Sequence, residues 1–297
     1  MRRPKTDASP SRRRRLLRVV PVTLALAALG SLLLAPGALA NFITPKSGGS
    51  PNANQIASLY RIILYIAAVV FVVVEGALFY SVIKFRAKRG AVAAQIHGNT
   101  RLEIGWTVAA ALILVVLTVV TFVKLPSIIN PPNSSAALEA STTEPNPPNG
   151  QKLLVCVQGR QFIWRYVYGG NCASSNFFSS GLPYSYTTMV VPQGVTVVLS
   201  ITANDVIHSW WVPSLGGKVD AVPGYTTYTW FKALHTGLFH GQCAQLCGRQ
   251  HAAMVAFVKV VSPADYQAWL SNQKSLISSA NSQVTPLRKY LQATGNL

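Results

Sequence analysis

Two long apolar runs constrain this chain more than any other feature. They are LYRIILYIAAVVFVVVEGALFYSVIKF over residues 59–85 and IGWTVAAALILVVLTVVTFVKL over 104–125. Each reaches or passes the ~20 residues a helix needs to cross a bilayer. The connection between them, KFRAKRGAVAAQIHGNTR, carries Lys84, Arg86, Lys88, Arg89 and Arg101. Short basic loops stay on the cytoplasmic side, so both outer ends of this two-helix hairpin face away from the cytoplasm. Composition agrees: half of the 297 residues are hydrophobic and only 11% are charged, well below the share usual in soluble domains. Glu75 lies inside the first span. An ionisable group at that depth is costly against lipid, so its side chain is expected to meet a partner helix from another subunit.

The ends and joints read from composition. SRRRRLLR, then the apolar VVPVTLALAALGSLLLAPG, then the small residues ALA at 38–40 form an export signal over residues 1–40, with mature protein beginning at Asn41. An uncleaved anchor and a twin-arginine address are the competing readings of the same stretch. Eight of the 26 Lys and Arg fall within the first 18 residues, so the formal net charge of +18 is mostly signal and loop. No basic stripe interleaved with aromatics is present, which excludes nucleic acid as the partner. After the hairpin (41–130), residues 131–150 form a linker too rich in Pro, Ser, Thr and Asn to bury a core.

Residues 151–261 read as all-β. KLLVCVQGRQFIWRYVY, YTTMVVPQGVTVVLSITA, TTYTWFKA and AAMVAFVKVV are rich in β-branched and aromatic residues and are punctuated by Gly, Pro and Asn. Several short strands of this kind predict a sandwich or Greek-key barrel outside the membrane. The tail, 262–297, opens with Ser262 as N-cap and Pro263 at the first helical position, predicting an amphipathic helix packed on the barrel or a neighbour.

The chemistry is concentrated in HGQCAQLCGRQHAAM, residues 240–254. Cys243, Cys247, His251 and Met254 stand together there, and His208 lies upstream in NDVIHSW. Thiolate, imidazole and thioether together favour copper, the borderline metal that also accepts a thioether. A disulfide between Cys243 and Cys247 would leave both histidines and the methionine without a role. A Cys2His2 zinc site would have no use for the methionine. Mononuclear copper sites on β-barrels need one cysteine, and the second sulfur here is free to bridge a second copper. Asp205, three residues before His208, is placed either to orient the loop or a neighbouring side chain, or to serve as a solvated or turn-capping carboxylate.

VIHSWWVPSLGGKVDAVPGYTTYTWFKA, GLFHGQCAQLCGRQHAAM and HGNTRLEIGWT resemble subunit II of the haem–copper terminal oxidases of the cytochrome c oxidase type. The order of signal, hairpin, linker and barrel resembles that family too. The resemblance implies a cupredoxin-like barrel holding the binuclear copper centre CuA. Cys243 and Cys247 would bridge both coppers, His208 and His251 would bind one each, and Met254 and the backbone carbonyl of Gln245 would complete the two sides. It also implies a separate subunit I carrying haem and further copper, a subunit III, a cytochrome c donor, proton pumping, and the outer face of a bacterial cytoplasmic membrane. Glu103, in LEIGWT, matches the family's acid at the mouth of a proton path; an interfacial carboxylate favouring the helix dipole is the plainer account.

Three features depart from the family's pattern. The residue between the bridging cysteines is usually acidic and helps bind magnesium. Here it is Gln245, and a neutral amide is a weaker partner for a hard cation, so magnesium is not carried over. In the family the first tryptophan of a WYW-like segment accepts electrons from cytochrome c; here the segment is GRQFIWRYVY, with Phe162 at that position, on the electron-entry face, and Trp164 matching the second tryptophan. From Pro131 onward ten basic side chains face five acidic ones, so the acidic patch that steers a basic cytochrome c is missing. The expected donor is therefore an acidic or membrane-tethered cytochrome, or one held in a supercomplex. Cys156 and Cys172 flank VQGRQFIWRYVYGGN and, outside the cytoplasm, are expected to form a disulfide. A CuA-containing nitric oxide reductase subunit and a non-enzymatic copper carrier are the rival functions.

Overall fold

The computed structural model describes residues 44–86, 92, 95, 98–132, 152–169, 172 and 182–293. The expected export signal (1–40) and nearly all of the expected 131–150 linker lie outside the described residues. Helix α1 spans Pro51–Lys84 and helix α2 spans Thr100–Ile129. Both are exposed along most of their apolar length, as lipid-facing helices are. They run antiparallel, with Lys124 Nζ donating to Gln55 Oε1 at 3.3 Å near their outer ends. Glu75 forms part of the wall of an otherwise apolar groove of about 450 Å³ between the two helices, beside Phe71, Val74 and Ile113.

Both helices are longer than the apolar runs, and the reason lies at their ends. Asn99 caps α2 by accepting from Leu102 N at 3.2 Å. Glu103 Oε1 reaches back to accept from Asn99 N at 3.3 Å, so the acid in the first turn serves the cap. At the start of α1, Asn52, Ala53 and Ala57 are buried, because this first turn and a half packs on the β domain rather than in the membrane. Asn52 Nδ2 donates to Trp230 O at 2.6 Å and Ser50 Oγ donates to Asn52 Oδ1 at 2.6 Å. The same hydroxyl accepts from Lys232 N at 3.0 Å. Asn52→Ala strips this joint of its centre and leaves a buried carbonyl and hydroxyl short of partners. The expected cost is about 1–3 kcal/mol, read as a lower unfolding temperature of the β domain in the purified protein.

Among its described residues the β domain has ten strands: β1 (Lys152–Arg160), β2 (Ile163–Tyr168), β3 (Tyr184–Tyr186), β4 (Thr188–Pro192), β5 (Thr196–Ala203), β6 (His208–Trp211), β7 (Val219–Ala221), β8 (Thr227–Lys232), β9 (Gly237–Cys243) and β10 (Val255–Val261). They form two five-stranded sheets, ordered β3-β2-β1-β5-β8 and β4-β10-β9-β6-β7. The expected architecture, a membrane hairpin followed by an all-β sandwich, is the one observed. Alternation builds its core: Leu153, Val155 and Val157 from β1, Val197, Leu199 and Ile201 from β5, and Ala256, Val258 and Val260 from β10 all point inward. Trp164, Tyr166 and Phe231 fill the space between, each contributing on the order of 1.5–3 kcal/mol by burial.

On the outer side of β1, Cys156 is disulfide-bonded to Cys172 beside Val167 and Leu182. Helix α3, Pro263–Ala293, begins with a reciprocal cap in which Asp265 N donates to Ser262 Oγ at 3.1 Å and that hydroxyl donates to Asp265 Oδ2 at 2.7 Å. Its buried Tyr266 and Leu270, with Trp269, pack on the barrel beside Tyr168, and the helix runs on to Ala293 through Pro286.

Candidate metal centre

The site forms where three segments converge at one end of the second sheet. Pairing of β6 with β9 sets Trp210 opposite Cys243, so His208 opens one strand where Cys243 closes its neighbour. The loop between β9 and β10 then folds back over that end. Cys243 N donates to Met254 O at 2.9 Å, and Ala244 N donates to Ser209 O at 2.8 Å. A short 3-10 turn over His251–Ala253 brings His251 round to face the sulfurs.

The result is a compact donor set. Ligand atoms of His208, Cys243 and Cys247 lie within 4.8 Å of one another, and all three residues are buried. The two sulfurs are 3.9 Å apart, and both cysteines are free, so no disulfide joins them. His208 Nδ1 lies 3.9 Å from Cys243 Sγ, and His251 Nδ1 lies 3.5 Å from Cys247 Sγ. Met254 Sδ is 3.9 Å from Cys247 Sγ, in a side chain only 1% exposed. The Gln245 carbonyl oxygen is 3.2 Å from Cys243 Sγ. All six residues singled out in the sequence thus come together. Two sulfurs each with an imidazole nitrogen at hand, plus a thioether and a carbonyl, are a donor set suited to a soft or borderline metal.

Electrostatics divide the two thiols. Burial pushes both upward; at Cys243, hydrogen bonding with His208 and from the Ser209 backbone outweighs it and brings the thiol below its ordinary value. Cys247 goes the other way, raised by burial and then by the charge of Cys243. Burial disfavours the charged imidazole of His208, but its contacts with Cys243 and Asp205 prevail and raise it. Asp205 itself is lowered: burial opposes this, and hydrogen bonds from Gln161 N, His208 and Val206 N overcome it.

Asp205 is the second half of His208's environment. Its Oδ1 meets His208 Nε2 at 2.9 Å and accepts from Val206 N at 2.7 Å, while Oδ2 accepts from Gln161 N at 2.7 Å. Of the two roles its spacing left open, it fills both, orienting the imidazole and closing its own turn. Trp164 is fully buried with its ring 5.8 Å from that of His208, whereas Phe162 is half-buried at the surface turn beside Gly248. Two residues escaped the sequence reading. Gly159, in β1, leaves room for the His208 ring: a Cβ there would come within 2.9 Å of His208 Cδ2. Gln161 bonds to both ligand-bearing loops. An isolated glycine inside a strand does signal close approach; nothing local signals Gln161.

Known proteins align with both halves. The family model described as Cytochrome C oxidase subunit II, periplasmic domain, matches residues 153–261, and the one described as its transmembrane domain matches residues 40–123. Cytochrome c oxidase subunit 2 of Cereibacter sphaeroides is 36% identical, with 77% of this chain and 82% of that protein aligned. Its counterpart in Alkalihalophilus pseudofirmus is 33% identical, over 78% of this chain and 63% of that protein's length. The crystal structure of the periplasmic domain of subunit II of cytochrome oxidase of Bradyrhizobium japonicum is 32% identical and covers 42% of this chain and 95% of that domain, at a TM-score of 0.37. With hairpin and ligand-bearing domain both matched, and a relative above 30% identity aligned over most of its length, the chain belongs to the cytochrome c oxidase subunit II family.

Proposed function

We propose that this chain is the copper-bearing subunit of a proton-pumping terminal oxidase. In this reading Cys243, Cys247, His208, His251, Met254 and the Gln245 carbonyl would together hold a copper pair. The observation that carries it is a pair of free, buried sulfurs 3.9 Å apart, each with its own histidine nitrogen within 3.9 Å. Bound there, copper would supply a one-electron redox couple.

The protein's part is to hold those donors still and dry. Asp205 fixes His208 through Nε2, which leaves Nδ1 turned toward Cys243. Ser209 and Met254 carbonyls anchor the loop at Ala244 and Cys243. Trp164 and Met254 close the core side against water. Donors that do not move between redox states keep rearrangement small, which is what repeated one-electron transfer requires. The chain relays electrons from a cytochrome c at the outer face of a bacterial cytoplasmic membrane to haem in subunit I, where a further copper sits and oxygen is reduced to water. Subunit III completes the assembly, and the half-buried Glu75 meets one of these partners. Phe162, at the surface turn against the cysteine loop, marks where electrons arrive, with Trp164 behind it. Glu103 keeps a role at the proton path alongside its capping bond, and magnesium is not assigned at Gln245.

Oxygen uptake by the purified complex tests this. An acidic or membrane-tethered cytochrome c is expected to support it. A strongly basic one is expected to bind weakly and with little dependence on salt, and tight, steeply salt-sensitive binding would contradict the donor assignment. A further expectation concerns Asp205→Asn. Asp205 uses both carboxylate oxygens, and an amide has one, so either His208 or Gln161 N loses its partner. Copper is then expected to yield to a chelator about 10–100-fold more readily.

A further inference from the structure

We propose that Gln161 is a positioning residue that locks the cysteine loop to the His208 turn; this deepens the reading above and rests on it. Gln161 sits in the turn between β1 and β2, and no metal ligand lies within 40 residues of it in sequence. Its backbone N–H donates to Asp205 Oδ2 at 2.7 Å, and Asp205 Oδ1 in turn holds His208 Nε2 at 2.9 Å. Its side-chain amide, Nε2, donates to the carbonyl of Cys247 at 2.6 Å. One residue therefore grips the histidine side through its backbone and the cysteine side through its side chain. Among the described residues, no other hydrogen bond joins this turn to the cysteine loop.

The contact is close-fitting as well as hydrogen-bonded. Gly248, next after Cys247, has φ +134, a conformation side chains rarely adopt. A Cβ there would stand 2.9 Å from Gln161 Nε2 and 3.1 Å from the Phe162 ring. The loop thus turns sharply at Gly248 to lay the Cys247 carbonyl against the Gln161 amide. Fixing that carbonyl fixes the peptide from which Cys247 hangs, and with it the sulfur's distance from His251 and from Cys243. Side chains that orient ligands from behind in this way commonly govern metal retention.

Because the backbone arm survives any side-chain change, substitution cuts only the cysteine arm. Gln161→Leu removes the donor and keeps the bulk, Gln161→Lys restores a donor on a long stem, and Gln161→Glu sets an acceptor against the Cys247 carbonyl. The three variants and the wild type are compared as full chains in the purified membrane complex. The readouts are copper loss to a chelator and the copper hyperfine pattern in electron paramagnetic resonance. Gln161→Leu and Gln161→Glu are expected to lose copper about tenfold faster and to show altered hyperfine splitting. Gln161→Lys is expected to return toward wild type on both. Should Gln161→Leu fail to fold, the contrast between Lys and Glu carries the same test. Retention and spectra indistinguishable from wild type in Leu and Glu, or equal loss in Lys and Leu, would overturn the proposal. In that event a wild type that still shows two coppers sharing one electron leaves the functional reading standing. A wild type without that signal removes both.

Discussion

Cys247→Ser is expected to give a folded, membrane-inserted chain that has lost its two-copper centre. The loop that carries Cys247 is held by Cys243 N on Met254 O, Ala244 N on Ser209 O and the Gln161 amide on Cys247 O. None of these bonds uses the sulfur. Serine is close in size, and its hydroxyl would lie where the thiol now faces His251 Nδ1. The cost of burying it stays within about 1–3 kcal/mol. The hard hydroxyl is not expected to replace the thiolate, because soft sulfur is what copper selects. Oxygen uptake is expected to fall by more than the roughly 100-fold that bounds changes outside the ligand shell. Elemental analysis of the purified variant and its uptake rate check both halves, and thermal unfolding checks that the domain survives.

Gly159→Val is expected to damage the same centre without replacing any of its donor residues. The Cβ alone would stand 2.9 Å from His208 Cδ2 and 3.1 Å from both His208 Cγ and Trp164 Cζ3. Neither ring can retreat. Both residues are fully buried, and Asp205 holds the far edge of the imidazole. Valine's two further methyl groups force the histidine out of line or push β1 from the core, at about 1–3 kcal/mol of stability. Copper retention is expected to fall with it, and Gly159→Ala to lie between wild type and valine on both measures. A valine variant that keeps its copper would show that the strand yields where the ring was expected to.

Local features of the fold were legible and distant ones were not. The two spans declared themselves because lipid demands a long apolar run, and the ligand loop because four of its donors fall between Cys243 and Met254. What extends α1 back to Pro51 is a bond from Asn52 to Trp230, 178 residues away, which no window along the chain can register. Asp205 was half-legible: its spacing from His208 allowed two roles, and only the fold shows one carboxylate filling both. Gln161 lay in a stretch read for its aromatics, but its partners are 44 and 86 residues away. The candidate donors were visible in the sequence, while the framework that orients them exists only once the sheets have formed.

The central claim is that this chain holds copper as a pair. Electron paramagnetic resonance of the purified complex, with copper counted per chain after allowing for the partner subunit's own metal, tests it most directly. Two coppers on this chain sharing one unpaired electron, with the signal gone in Cys247→Ser, is the predicted result. A single copper with a localised spin, or a signal unchanged by loss of that sulfur, would contradict the account.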